Sequence, residues 1–328
     1  MKSTSACSAL FVSCLIVHAE DAADAAGKRA KLELVEEREV AVPDDDTLWS
    51  CDFSRDGRWL AVSTNDRLDF IDLKTGAKRS EAPKSARYIN PGVSGSEILV
   101  RGDSGVEVRD ASGEHAAREL RKFGKFDHWT SAKASPDGKT LLLLVGGHFT
   151  VAPVGDGEAP AMPEAEKRPA GMPREELMVI EARWHPDSTR FAFAGDWDGF
   201  RSTGGVMVWS SDAKILFRKQ ADDARIVAWN PNGSELWWGN GKELHLLESK
   251  TWTESKVFDA PVFGWWMLGG EVALGAEEKE LTLWHTPTMT RVKSLVRLEE
   301  SDHVKISPDG GRVCVSNMKR ARVFSIRK

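Results

Sequence analysis

One short turn recurs along the chain: Ser54-Arg-Asp-Gly57, Ser135-Pro-Asp-Gly138, His185-Pro-Asp-Ser188, Asn230-Pro-Asn-Gly233 and Ser307-Pro-Asp-Gly310. Its chemistry is that of a tight reversal: proline presets φ, aspartate hydrogen-bonds its own backbone, and glycine accepts a positive φ. Two of the gaps are double length, and weaker copies, Ser94-Gly95-Ser-Glu and Leu268-Gly-Gly270-Glu, fill them. Anchors at 57, 95, 138, 188, 233, 270 and 310 are then spaced by 38, 43, 50, 45, 37 and 40 residues. A period of this size means one small supersecondary unit repeated, and it limits the possible folds more than any other feature of the chain.

Each unit has the same grammar around its anchor. Before the turn, positions minus six and minus four are mostly apolar: Cys51 and Phe53, Ala132 and Ala134, Ala182 and Trp184, Val227 and Trp229, Val304 and Ile306. After it comes an apolar run such as Leu60-Ala-Val62, Phe191-Ala-Phe193 or Val313-Cys-Val315. Both patterns fit strands covered on two faces. Eleven residues past the anchor a further alternating strand opens in six of the seven units, at Leu68, Val106, Phe149, Leu244, Leu281 and Ala321. The fourth unit opens its strand at Val206, after a loop seven residues longer.

The recurring element is therefore a small four-stranded sheet, and the chain resembles the WD40-repeat family and its looser bacterial relatives, β-propellers with a period of about 40–45 residues. The family's Trp-Asp pair stands here as Ile71-Asp72, Arg109-Asp110, Trp209-Ser210, Leu247-Glu248, Trp284-His285 and Phe324-Ser325. The resemblance covers residues 32–328 and implies an all-β, seven-bladed propeller. The seventh unit ends after its third strand, whereas Leu32–Val42 precedes the first unit with no partner of its own. We expect that N-terminal strand to complete the last blade, closing the ring and covering an edge that would otherwise invite aggregation. Pro153 to Glu176, rich in Pro, Ala and Glu without hydrophobic period, reads as a mobile excursion after the third strand of blade three.

Hydrophobic residues at 41% and charged residues at 29% exclude a disordered chain. A formal charge of -5 argues against a nucleic-acid partner. The run Ala9–Val17, followed by Val17-His18-Ala19, reads as a secretory signal cleaved near Ala19, with 20–31 as a linker. At nine residues it is too short to span a bilayer, which takes about 20. Phe11-Val12-Ser13 before Cys14 is a poor lipobox, which disfavours a lipoprotein. The expectation is thus a secreted or periplasmic monomer without a membrane span. Cleavage would leave Cys51 and Cys314, placed on facing sheets. Sheets pack about 10 Å apart and a disulfide needs Cα atoms within about 7 Å, so two buried free thiols are expected.

No Gly-x-Ser-x-Gly elbow, His-Glu-x-x-His, phosphate-binding Gly-Lys-Ser/Thr or Cys-x-x-Cys occurs. The histidines do not share a rim or a repeat position, so no metal shared between them is expected. Loops entering first strands and loops between second and third strands should emerge on one rim. Asp44, Asp45 and Asp46 then join Glu299, Glu300 and Asp302 in an acidic patch, with Lys319 and Arg320 beside it. Such a patch suits a cationic partner segment or Ca²⁺, whose hard oxygen ligands would be these carboxylates. The long loop of blade four adds Trp197, Phe200 and Arg201, residue types that anchor interfaces. Tryptophan is abundant, 13 against one tyrosine, and Trp184, Trp229 and Trp266 fall on one repeat position, which reads as packing between blades. Sugar stacking is left to Trp197, Trp237, Trp238 or Trp252. The reading favoured is a non-catalytic scaffold without a cofactor that binds a protein or peptide at its loop rim. The alternative is a propeller hydrolase or lactonase holding a divalent metal between blades.

Overall fold

The computed structural model describes residues 32–43, 45–82, 88–101, 105–122, 130–145, 148–155, 178–196, 204–269 and 271–327. Every regular element among them is a strand, and the strands form seven separate antiparallel sheets arranged as a ring of blades. Blade one runs Ser50–Phe53, Trp59–Ser63, Leu68–Asp72 and Lys78–Glu81, in sequence order from the centre outward. Blades two, four, five and six repeat that order, and blade three has three described strands, Thr130–Ala134, Thr140–Val145 and His148–Pro153. The excursion expected at 153–176 lies, from residue 156 on, outside the described residues, as do 1–31.

Blade seven takes three strands from the C-terminal end, His303–Ile306, Arg312–Ser316 and Arg320–Arg327, and its fourth from the N-terminal strand Glu33–Ala41. That strand pairs antiparallel with the third from Glu33↔Arg327 to Ala41↔Arg320, as expected from the unpartnered segment. Its ends have separate tasks. Leu32, 3% exposed, packs in the core between blades six and seven, and Val42, 8% exposed, in the core between blades seven and one.

Hydrogen bonds explain the recurring turn. In blade one Ser54 Oγ donates to Asp56 Oδ1 at 2.5 Å and accepts from the Trp59 N–H at 3.0 Å, while Asp56 Oδ1 also accepts from the Arg58 N–H. Blade three repeats this with Ser135, Asp137, Lys139 and Thr140, and blade seven with Ser307, Asp309, Gly311 and Arg312. In blade five glycine is favoured at the fourth position for two reasons, although blade four places Ser188 there at φ +64°. At Gly233 φ is +73°, and a Cβ there would lie 2.3 Å from His185 Nε2 of the preceding blade. His185 stands where other turns have serine, and the space normally left above that serine is filled by an imidazole that hydrogen-bonds the Gly233 carbonyl at 2.9 Å.

Blade six departs from the expected alignment. The described glycine of its turn, Gly269, has φ +87°, and the register slips between Met267 and Gly269. That slip exchanges the two tryptophans. Trp265, not Trp266, faces blade five, with its ring 5.8 Å from that of Trp237, whereas Trp266 packs toward blade seven. Trp184 and Trp229 do share one role, each donating its indole N–H to an inner-strand carbonyl of the preceding blade, Lys133 at 3.0 Å and Arg183 at 3.1 Å. Trp237 and Trp238 are 2% and 1% exposed, sealed between blades, so neither offers a face to a sugar.

Facing strands also come closer at the ring junction than a mean sheet spacing suggests. Cys51 and Cys314 are both buried free thiols, but their sulfurs are 3.3 Å apart. The spacing argument used mean planes, whereas two side chains that point at each other across an interface close most of that distance.

Candidate functional site: a funnel on the loop face

The inner strands alternate, and the positions between the interface residues face the axis. Asp52, Asn90, Lys133, Arg183, Ala228 and Lys305 each sit five residues before the anchor and pair with the residue four after it. Their charges meet across the ring. Lys133 Nζ lies 3.2 Å from Glu181 Oε1, Arg183 Nε 3.1 Å from the same oxygen, and Lys305 Nζ 3.4 Å from Asp52 Oδ2. Burial pushes Lys133 down to about 8, with the Glu181 carboxylate opposing that shift. Burial alone would raise Glu181, yet Arg183, Lys133 and Lys305 together hold it down at about 2. Among the described residues three cations thus face two carboxylates in this channel, an excess of one positive charge.

The channel opens on the loop face into a cavity of about 610 Å³, within the range of ligand sites. Two residues before the axial set, Tyr88, Glu181, Ile226 and His303 form the next layer outward, and they line the cavity together with Phe263, which stands in the loop just before the inner strand of blade six. Its mouth is apolar. Among the described residues the exposed large hydrophobics are Trp49, Tyr88, Ile215, Leu216, Val257, Phe263 and Met318, and four of these, Trp49, Tyr88, Phe263 and Met318, surround this one opening. Phe263 is 55% and Met318 60% exposed. The backbone fixes them: Phe263 N–H bonds the Ala276 carbonyl at 2.7 Å, and the Met318 carbonyl accepts from Leu48 N–H at 2.8 Å. Trp49 is held by its indole N–H to Asn65 Oδ1 at 2.8 Å. An apolar collar above a floor with excess positive charge is a chemical description of a receptor for an apolar group next to an anion.

Inspection of the sequence missed this funnel, although a signal was present. Interface residues occupy minus four and minus six, so alternation assigns minus five and minus seven to the channel. Reading those positions alone gives Asp52, Lys133, Glu181, Arg183 and Lys305, together with Tyr88.

The acidic tracts lie on the same face. The loop entering blade one packs on the loop of blade seven, with Lys319 Nζ donating to the Asp46 carbonyl at 3.1 Å. Arg320 pairs with Glu299 at 2.5 Å, and Asn317 Nδ2 donates to the other Glu299 oxygen at 2.8 Å. Asp302, with 2% of its side chain exposed, accepts from the Glu299 N–H and faces Arg322 at 3.7 Å. Asp46 is buried as well; burial favours its neutral form, but hydrogen bonds from Thr64, Asn65 and Thr47 hold it below the usual carboxylate range. The structure therefore brings Asp46, Glu299, Asp302, Lys319 and Arg320 together, and most of their capacity is used in fixing the loops. Asp45 and Glu300 are exposed. Asp44, Trp197, Phe200 and Arg201 lie outside the described residues. Among the described residues no three His, Cys, Asp or Glu side chains form a metal-holding group, and no helix is long and apolar enough to cross a membrane.

No family model matches the chain, and no curated protein matches it.

Proposed function

We propose that this protein is an exported, WD40-like propeller that acts as an interaction scaffold, holding a peptide segment of a protein partner in the funnel on its loop face. One observation carries the reading: four of the seven exposed large hydrophobics converge on a cavity whose floor has excess positive charge. Aromatic and methionine side chains around a pocket are the residue types that supply binding energy at interfaces. The segment taken is one with an aromatic or branched aliphatic side chain next to a carboxylate. The WD40 relation is supported by Asp72 and Asp110, which close the turn after the third strand by accepting the Lys74 and Ser112 N–H groups. Export is supported by the apolar run Ala9–Val17.

Selection from a random peptide library displayed on phage tests the reading. Peptides enriched on the wild type should carry an aromatic or aliphatic residue beside Asp or Glu. Their affinity should fall at least about tenfold, roughly 1.4 kcal/mol, on Phe263→Asp. It should also survive high salt better than binding to the acidic patch would, since only the ionic part is screened. Enrichment of basic peptides, insensitive to Phe263→Asp and lost in salt, would assign the partner to the acidic patch instead.

A further inference from the structure

We propose that Cys51 and Cys314 are a redox pair that closes into a disulfide, clasping blade one to blade seven across the junction where the ring closes. Cys51 lies on the inner strand Ser50–Phe53 of blade one, and Cys314 on the second strand Arg312–Ser316 of blade seven. They are 263 positions apart in sequence, yet their sulfurs face each other at 3.3 Å inside the same apolar core. An S–S bond is about 2.05 Å, so closure requires an approach of little more than about 1 Å, within reach of small side-chain and strand adjustments.

The two thiols are not equivalent. Cys51 is 3% exposed and lines the funnel cavity, whereas Cys314 is fully enclosed. The contact between the two thiols draws the Cys51 pKa down against the effect of burial, and the same contact together with burial raises Cys314. The Asp52 carboxylate works in the opposite sense, and Lys305, the inner-strand partner of Cys314, offsets it with its positive charge. Cys51 is thus the more acidic and the more accessible of the two, hence the entry point, and Cys314 is the resolving thiol.

Oxidation needs a disulfide co-reactant, R–S–S–R, such as oxidised glutathione or a dithiol–disulfide exchange protein. The Cys51 thiolate attacks one sulfur and expels R–S⁻, leaving a mixed disulfide at Cys51 and its own proton in the medium. Cys314 loses its proton and attacks Cys51 Sγ, expelling the second R–S⁻. Two electrons and two protons pass to the oxidant, which leaves as two R–SH.

The N-terminal strand already ties blade seven to the start of the chain by hydrogen bonds and two buried side chains. The clasp would be a covalent second closure of the same junction, at the wall of the funnel. It acts where the surroundings are oxidising, as the N-terminal apolar run predicts.

The test uses the full chain incubated with oxidised glutathione, alkylated, digested and mapped by mass spectrometry, with melting followed in parallel. The expected result is a linked peptide pair containing Cys51 and Cys314, with neither alkylated. A rise in melting temperature of about 4–8 °C should accompany it, reversed by a dithiol reductant. In Cys314→Ala the melting temperature should be the same with and without oxidant. Cys51 and Cys314 both still alkylated, separate glutathione adducts on each, or linkage of either to Cys7 or Cys14 would overturn the proposal. So would an oxidant-dependent rise that persists in Cys314→Ala. Mapping on the wild type decides the matter even if the variant does not fold.

Discussion

Truncating the two ends of the N-terminal strand should open the ring from both sides of blade seven. Leu32 is 3% exposed among Leu281, Leu283, Val296 and Val313, whereas Val42 is 8% exposed among Leu48, Phe53, Ala321 and Val323. Leu32→Ala removes a buried isobutyl group and leaves a cavity, costing about 2–3 kcal/mol; Val42→Ala, which removes less, costs about 1–2 kcal/mol. The nine-residue strand between them spans roughly 30 Å, so the two costs should add to about 4 kcal/mol. That is a large part of the 5–15 kcal/mol typical of a folded domain. With an unfolding entropy near 2.1 cal/mol/K per residue, a propeller of this size should melt about 6 °C lower in the double variant. Calorimetry and urea titration of the wild type, both single variants and the double variant measure this. Leu34→Ala, on a partly buried neighbour in the same strand, should cost less than Leu32→Ala. A double variant melting within about 1 °C of wild type would refute the idea that this strand seals both interfaces.

Other perturbations follow from the same geometry. Deleting residues 32–42 should expose the edge of Arg320–Arg327 and give an aggregating or unfolded product, whereas a soluble protein with unchanged melting would contradict ring closure. Gly233→Ala should destabilise by about 2–4 kcal/mol, combining positive-φ strain with displacement of His185; denaturant titration would detect it, and a loss below about 0.5 kcal/mol would show that the turn can relax. Glu181 has its folded pKa depressed, so its stabilisation is fully present above its unfolded value of 4.5 and is lost as pH falls toward about 2. Glu181→Gln should therefore melt lower than wild type at pH 7, with the gap closing near pH 2; a gap independent of pH would mean that packing, not charge, is what the substitution removes.

The architecture was legible because its determinants are local and periodic. The turn requires serine, aspartate and glycine at fixed offsets for hydrogen bonds that recur in blades one, three and seven. The third strands begin within two residues of the positions read from the sequence. Blade six misled the alignment because its inner strand slips register between Met267 and Gly269, and a slip of that kind leaves no mark in the sequence. The site was less legible because it is assembled across the ring. Glu181, Arg183, Lys133 and Lys305 come from blades four, three and seven, and no local motif announces that they meet. The acidic tracts attracted notice by their composition, yet Asp46 and Asp302 are turned inward to hold backbone N–H groups. Phe263 and Met318 carried no sequence signal beyond being apolar residues in loops, and their significance lies in their shared exposure at one opening.

The most direct test of the funnel as the binding site is hydrogen–deuterium exchange on the full chain, with and without a library-selected peptide. The account predicts slowed exchange in the segments that form the collar, around Trp49, Tyr88, Phe263 and Met318, with the Ser-Pro-Asp-Gly turns on the opposite face unaffected. Protection confined to those turns or to the outer strands, with the collar unchanged, would contradict it.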